Sequence, residues 1–505
     1  MKSRIYILIT VFVFQFFFSS NLTSQISLEW SKFFYNNNNF ARSLCLDDTL
    51  NVYIAGGNKI LKYNPSGNLQ YHLNYYLNGS AYKVIYSDGY IFAGGGTGLV
   101  KYSIPGTYNL LRGGDITDIL KDNNGYIYSV ADNLGDMTID KYNSAGTIAW
   151  SNQILRNTAN SYYSNNVFVG VNNSINIFGT RISYYLYYSY TPILLSYDTY
   201  GNLITGPGTF NTYYTGVRND YSNTNVIAGV NNYSVYQSDI SISNINNLVN
   251  PVTYNGIGNG KDEVNEIASD NFGNVYLACK SWGVGVDYDF VILKYNSDLE
   301  LIWEYRYNGS QNAFDEAKKV VVGNSGNIYA TGNINMNNHG KQIYTVKLSQ
   351  SGQLLWSDKF SRYDRAVDTN DVMDLQLDRY ENIYLCGNSR DSVNNRYDFL
   401  TVKYSDPTSI NTNEINIVND FELLQNYPNP FNPVTNIGFK LPKNSNVKID
   451  VFNSSGKIID HLTDKTYPQG EHNVTWNAES FPSGVYFIRF STGTFLDIKK
   501  AVLIK

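Results

Sequence analysis

The chain has 505 residues, a formal net charge of −5 and only 16% charged residues, against about 25% in an average soluble domain. With no clustered Lys and Arg to displace counterions, the composition argues against nucleic-acid binding. Three cysteines (Cys45, Cys279, Cys386) are too few for a disulfide scaffold and lack zinc-site spacing. The four histidines are scattered, so no metal and no cofactor is expected. Hydrophobic residues make up 43% and include 45 Tyr and 25 Phe, ample for buried cores. At about 100–200 residues per domain, the length allows two to four domains, or one repeat array plus a smaller unit.

In chain order, Lys2 and Arg4 precede the apolar stretch Ile5 to Phe18, followed by small and polar residues Ser19 to Gln25. This is the make-up of a secretory signal peptide, residues 1–24. About 14 apolar residues rise about 21 Å, short of the roughly 30 Å hydrocarbon core of a bilayer. Cleavage is expected after Ser24, with Ser20 as the alternative because Leu22 suits the −3 position poorly. No lipid-attachment Cys follows, and no later segment is apolar enough to span a bilayer, so the mature chain is expected to have no membrane span.

Residues 25–405 are self-similar. The best copy runs Asp262-Glu-Val, Asp270-x-x-Gly273-Asn-Val-Tyr276-Leu-Ala-Cys279, Lys294-Tyr295 and Leu301-Ile-Trp303. Tyr53, Ile91, Tyr128, Asn176, Val226, Tyr276, Tyr329 and Tyr384 anchor successive copies about 37 to 55 residues apart, the period of propeller blades. Each copy reads as four short strands bounded by turn chemistry, with Asp at the first and Gly at the fourth turn position. No sustained 3.6-residue apolar period appears, so helices should be few. The last copy stops at Tyr404 without its Trp-bearing fourth strand, and Ser27-Leu-Glu-Trp30-Ser-Lys-Phe-Phe34 supplies a matching one. Lending the first strand to the last blade removes an unpaired edge and closes a ring. Eight copies predict eight blades; seven is the alternative if the worn copies between Ser151 and Asn250 merge.

These copies resemble the bacterial β-propeller repeat family built around Asp-x-x-Gly-Asn-x-Tyr-x-x-Gly, closely over 260–405 and loosely over 26–255. The resemblance implies the fold and leaves function open, since related propellers bind ligands, form scaffolds or, less often, catalyse.

Residues 406–420 read as a polar linker. From 421 to 505, alternating runs such as Val447 to Phe452 and Val485 to Phe490, separated by Gly- and Pro-bearing turns, predict a small sandwich of about seven strands. Its opening, Tyr427-Pro428-Asn429-Pro430-Phe431-Asn432-Pro433, its late Ser-Gly484-Val-Tyr486 and its end, Lys500 to Lys505, resemble the type A C-terminal sorting domain of the type IX secretion system. That resemblance implies that these residues carry the sorting signal, that the type IX machinery is a partner, and that the destination is the outer cell surface or the medium, via the periplasm.

Asp47, Asp122, Asp220, Asp270 and Asp378 each stand six residues before a strand anchor. They read as turn acceptors rather than calcium ligands, because none has the clustered oxygens that six- to eight-fold coordination needs. Asp287, Asp289 and Asp398 read as solvent-facing turn residues. Tyr184 to Tyr190 and the Tyr213-Tyr214 pair could stack on glycans; packing of Tyr between blades is the preferred reading. No nucleophile elbow, phosphate loop or His-Glu-x-x-His motif occurs, so no catalytic residue is assigned. The expectation is a monomeric, non-catalytic exported propeller that engages a protein or glycan. The alternative is a carbohydrate-active enzyme with carboxylates in the ring channel.

Overall fold

The computed structural model describes residues 26–504 apart from 37–38, 104–105, 123, 171–172, 185–187, 210–212, 217–225, 232–237, 245–246, 271, 285–286, 310–312, 337–339, 364–368, 406–420, 427, 442–444, 468–469 and 494. The signal peptide and the linker therefore lie outside the described residues. The chain divides into two compact units, 1–410 and 411–505. Among the described residues there is no α-helix, only a short 3-10 turn at Tyr76–Asn78, and no helix long and apolar enough to cross a membrane.

The first unit is a succession of four-stranded antiparallel sheets. Sheets one to seven occupy 41–74, 81–113, 115–154, 160–209, 213–254, 262–307 and 316–360. The weakest copies thus form two separate sheets, four and five. Sheet eight is built from Asn370–Leu377, Ile383–Asp391, Arg396–Ser405 and, as its fourth strand, Ser27–Tyr35. The register pairs Leu28 with Tyr404, Trp30 with Lys403 and Phe34 with Phe399, the closure anticipated from the missing Trp-bearing strand.

Among the described residues, seven clusters of buried side chains each join two successive sheets. One of them, with Trp30, Leu44, Ile54, Tyr384 and Phe399, joins sheet eight to sheet one, so the succession returns to its start. First strands of neighbouring sheets lie against one another, while fourth strands such as Leu69–Asn74 are largely exposed. The first strands therefore surround the axis and the fourth strands form the perimeter. A perimeter strand is an open edge, and bulges twist it away from further pairing; register shifts in the fourth strands of sheets one, three, six, seven and eight serve this purpose.

Among the described residues the second unit has seven strands, where about seven were expected. Glu422–Leu423, Val434–Leu441 and Gly470–Asn477 make one sheet; Ile458–Tyr467, Ser445–Asn453, Gly484–Ser491 and Leu496–Leu503 make the other. The two sheets share a single core around Trp476, Phe431, Phe439, Tyr486 and Phe490.

Candidate functional site

In the ring, the recurring aspartates are turn acceptors, as their spacing predicts. Asp47 Oδ1 accepts the backbone N–H of Thr49 and Asn51, both at 2.9 Å. Asp122, Asp270 and Asp378 repeat these bonds; Asp220 lies outside the described residues. The sequence reading missed a second role. Each Oδ2 accepts the hydroxyl of the buried Tyr six residues on: Tyr53 (3.2 Å), Tyr128 (3.1 Å), Tyr276 (3.0 Å) and Tyr384 (3.2 Å). Burial first, then the facing carboxylate, pushes these hydroxyls well above their ordinary pKa, so they remain donors. Sheet seven has Gly323 at the Asp position, and Glu381 from sheet eight reaches across instead to accept Tyr329 Oη at 2.8 Å.

Across sheets one, three, six, seven and eight the Tyr pairs with a Lys and the Lys with an aromatic residue, as in Tyr276, Lys294 and Trp303. Lys62, Lys141, Lys294, Lys347 and Lys403 sit 5.2–5.5 Å from the ring centres of their Tyr partners. The Trp then ties its sheet to the next one: Nε1 of Trp30, Trp150 and Trp303 donates to the carbonyls of Pro65, Thr199 and Gln350 at 3.0–3.1 Å. Gly352, two residues after Gln350, has φ +83°, and a Cβ there would meet Trp303 at 2.7 Å. Only glycine meets both demands.

Three carboxylates on first strands are engaged within the ring. Asp118 and Asp374 accept backbone N–H groups of the next sheet, Val167 at 3.1 Å and Leu44 at 2.9 Å, and Glu266 pairs with Lys319 at 2.7 Å. Among the described residues no three His, Cys, Asp or Glu side chains come together as a metal site. Asp289 and Asp398, read from sequence as solvent-facing, are buried in third strands and paired with Arg306 and Arg362, each at 2.7 Å. The error arose because Arg306 lies on the neighbouring strand and Arg362 just beyond the fourth strand of sheet seven. The three cysteines are free and buried, and burial raises their thiols well above the usual value, which makes them inert. Tyr53, Tyr128, Tyr276, Tyr295, Tyr329, Tyr384 and Tyr404 are fully buried, in keeping with packing between sheets. The side chains of Tyr184 to Tyr190, Tyr213 and Tyr214 lie outside the described residues.

Antiparallel order places the turns between first and second strands, with those between third and fourth, on one face of the ring. The remaining turns and the connections between sheets lie on the other, the loop face. Leu77, Leu134, Leu155, Ile257, Val284 and Val393 on that face are each more than half exposed. Leu77 and Leu134 also hold positive φ, 51° and 54°, a backbone state costly for a leucine.

In the tail, the structure brings together the sorting residues that the sequence separates. Asn429 Oδ1 accepts Val502 N–H at 2.8 Å and its Nδ2 donates to the Lys500 carbonyl at 2.9 Å. Phe431 exchanges backbone hydrogen bonds with Val502 and Ile504 at 2.9 and 3.0 Å. The Pro428 carbonyl accepts Thr435 Oγ1 at 2.8 Å, and the Pro433 carbonyl accepts Ala478 N–H at 2.9 Å. Gly484 and Tyr486 pair with Leu503 and Ala501, and Tyr486 Oη donates to the Pro482 carbonyl at 2.6 Å. Pro430, Asn432 and Lys500 are exposed; Tyr427 and Lys505 lie outside the described residues. On the second sheet, buried Asp450 is held by Arg489 and His461. Burial raises its pKa, but the two hydrogen bonds outweigh that and hold the carboxyl below its ordinary value.

Strands ordered as axial, paired and perimeter members of successive sheets, closed by the first strand, define a propeller-like repeat protein carrying a separate all-β tail. Residues 425–505 match the family model of the secretion system C-terminal sorting domain. This tail is thus a type IX sorting domain, which indicates export to the cell surface or extracellular space. A comparison with curated proteins gave no match. Among solved structures, a streptogramin B lyase is similar at 14% identity, over 60% of this chain and 94% of that one, with a TM-score of 0.36. A Bacteroides thetaiotaomicron quinonprotein alcohol dehydrogenase-like protein is similar at 9% identity, over 54% and 66%, with a TM-score of 0.36. PorZ, a surface component of the type-IX secretion system of Porphyromonas gingivalis, is similar at 10% identity, over 92% and 93%, with a TM-score of 0.17. Likenesses this distant carry no argument about activity or ligand.

Proposed function

We propose that residues 25–405 are an eight-bladed β-propeller, one blade per four-stranded sheet, that binds a protein or glycan through its loop face and has no catalytic centre. Residues 1–24 take the chain across the inner membrane. Residues 421–505, an immunoglobulin-like sandwich, then direct passage from the periplasm across the outer membrane, and the passenger acts as a monomer at the surface or in the medium.

The observation that carries the binding reading is a contrast between axis and loop face. Asp118, Glu266 and Asp374 already serve the ring's own hydrogen bonding and ion pairing, whereas the loop face presents Leu77 and Leu134 to solvent on strained backbone. Backbone strain kept at exposed apolar residues favours a role in contact.

Glycan-array and surface-protein binding by the mature chain tests this, with Leu77→Ser plus Leu134→Ser expected to weaken binding at least about fivefold. Polysaccharide cleavage abolished by Asp118→Asn, Glu266→Gln or Asp374→Asn would instead establish the enzyme. Deleting residues 421–505 should trap the protein in the periplasm; continued surface display would refute the sorting role.

A further inference from the structure

The terminal strand Leu496–Leu503 is a sheet edge, paired with Gly484–Ser491 on one side only. Its first half carries Asp497 and Lys499, 3.1 Å apart, on the face shared with Phe490 and Ile488, inward-directed charges that discourage further pairing. The second half is closed by the segment that opens the tail. The Asn429 carboxamide takes from Lys500 and Val502 both hydrogen bonds that a neighbouring strand would make. Gln425 Nε2 adds a second donor to the Lys500 carbonyl at 2.8 Å, and Phe431 continues the pairing to Ile504.

This clasp selects a register. The Lys500 carbonyl and Val502 amide point to the open edge, while Ala501 and Leu503 are buried in the core. A slip of one residue would turn Lys500 inward and present the wrong backbone groups to Asn429. In the observed register Phe487 stands opposite Lys500, and Arg489 opposite Ile498, so all four share the outward face of the hairpin. Phe487, Ile498 and Lys500 are exposed there.

We propose that Asn429 is a positioning residue of the sorting signal: it holds the terminal strand in the register that displays Lys500 beside Phe487 and Ile498, and the export machinery reads that displayed face. The Asn-Pro-Phe segment thus acts through the strand it clasps. This rests on the sorting role of the tail, which deletion of residues 421–505 tests separately.

The test uses the full chain in a host with an active type IX system, together with amide hydrogen exchange on purified precursor. Asn429→Ala should lower export about tenfold and raise exchange at Val502 by a similar factor, the effect of losing two edge hydrogen bonds. Core amides such as Ile449 and Ile488 should stay protected. Lys500→Ala should lower export with Val502 still protected. Asn446→Ala, which removes an exposed amide bonded to Asp464, should change neither. Undiminished export by Asn429→Ala, or a loss accompanied by exchange throughout the tail core, overturns the proposal. If deletion of the whole tail leaves export intact, the sorting role itself falls first.

Discussion

In the ring the same three ties recur in sheets three, six and eight: an Asp turn bonded to a buried Tyr, a Lys over that Tyr, and a Trp fastened to the next glycine turn. In the tail each tie occurs once: Trp476 fills the single core, Asn429 clasps the terminal strand, and Asp450 gathers Arg489 and His461. A repeated tie spreads stability along the circle, so that its loss is felt by one sheet and its neighbours. A unique tie has no substitute. The exception in the ring is the closure, where residues 27–35 meet 396–405 and no second copy of the join exists.

Deleting residues 26–35 should sharpen this contrast most. It strips sheet eight of its fourth strand and uncovers the clusters around Trp30, Ile26 and Phe33, at a cost above about 4 kcal/mol. Calorimetry of the full chain should then lose the ring transition and keep that of the tail; an unmoved ring transition would show that the closure is dispensable.

Trp476→Ala should do the reverse. Its ring is 1% exposed, packs on Phe431 and Tyr486, and donates to Asp460 at 3.0 Å. A loss of about 3–5 kcal/mol is expected, abolishing the tail transition with the ring unchanged.

A smaller and local effect is expected of Gly352→Ala, which forces a Cβ onto Trp303 at a positive φ. About 1–2 kcal/mol should be lost, with amide exchange rising in sheets six and seven and nowhere else. Exchange spreading evenly around the circle would contradict the local character of the tie.

The smallest difference should appear on acidification. Burial pushes Asp132 and Asp315 up to about 6, against about 3.9 unfolded. Between about pH 4 and 6 the folded ring binds more protons than the unfolded chain, so its stability rises as pH falls from 7 to 5, by on the order of 1 kcal/mol or about 1–3 °C. Asp450 is shifted the other way, so its contribution is present above its unfolded pKa and lost only below about pH 4. Melting at pH 7 and 5 should raise the ring transition and leave the tail's in place. Equal shifts of both would remove this distinction.

Much of this was legible in sequence wherever the relevant partners lie close along the chain. Asp270-x-x-Gly273 specified its turn through its own backbone. The Asp270-to-Tyr276 bond was also within reach, because the spacing of six recurs at Asp47, Asp122 and Asp378. The closing strand could be found because Trp30 supplies a part the last copy lacks. Glu381 could not, since it answers for a missing Asp from a different sheet, and Asp289 and Asp398 were misread for want of Arg306 and Arg362. The sorting motifs were recognisable by their order, yet that order does not reveal that Asn429 bonds a strand 73 residues away.

Local backbone preference and the alternation of apolar side chains, both readable along a few residues, determined by themselves the strands, the turns, the repeat and the two-part division of the chain. Only the tertiary structure decided which carboxylates are buried, which edge is clasped and which side chains remain exposed. Those outcomes depend on groups brought within about 3 Å by packing, a distance at which hydrogen bonding and desolvation act and which sequence separation does not encode.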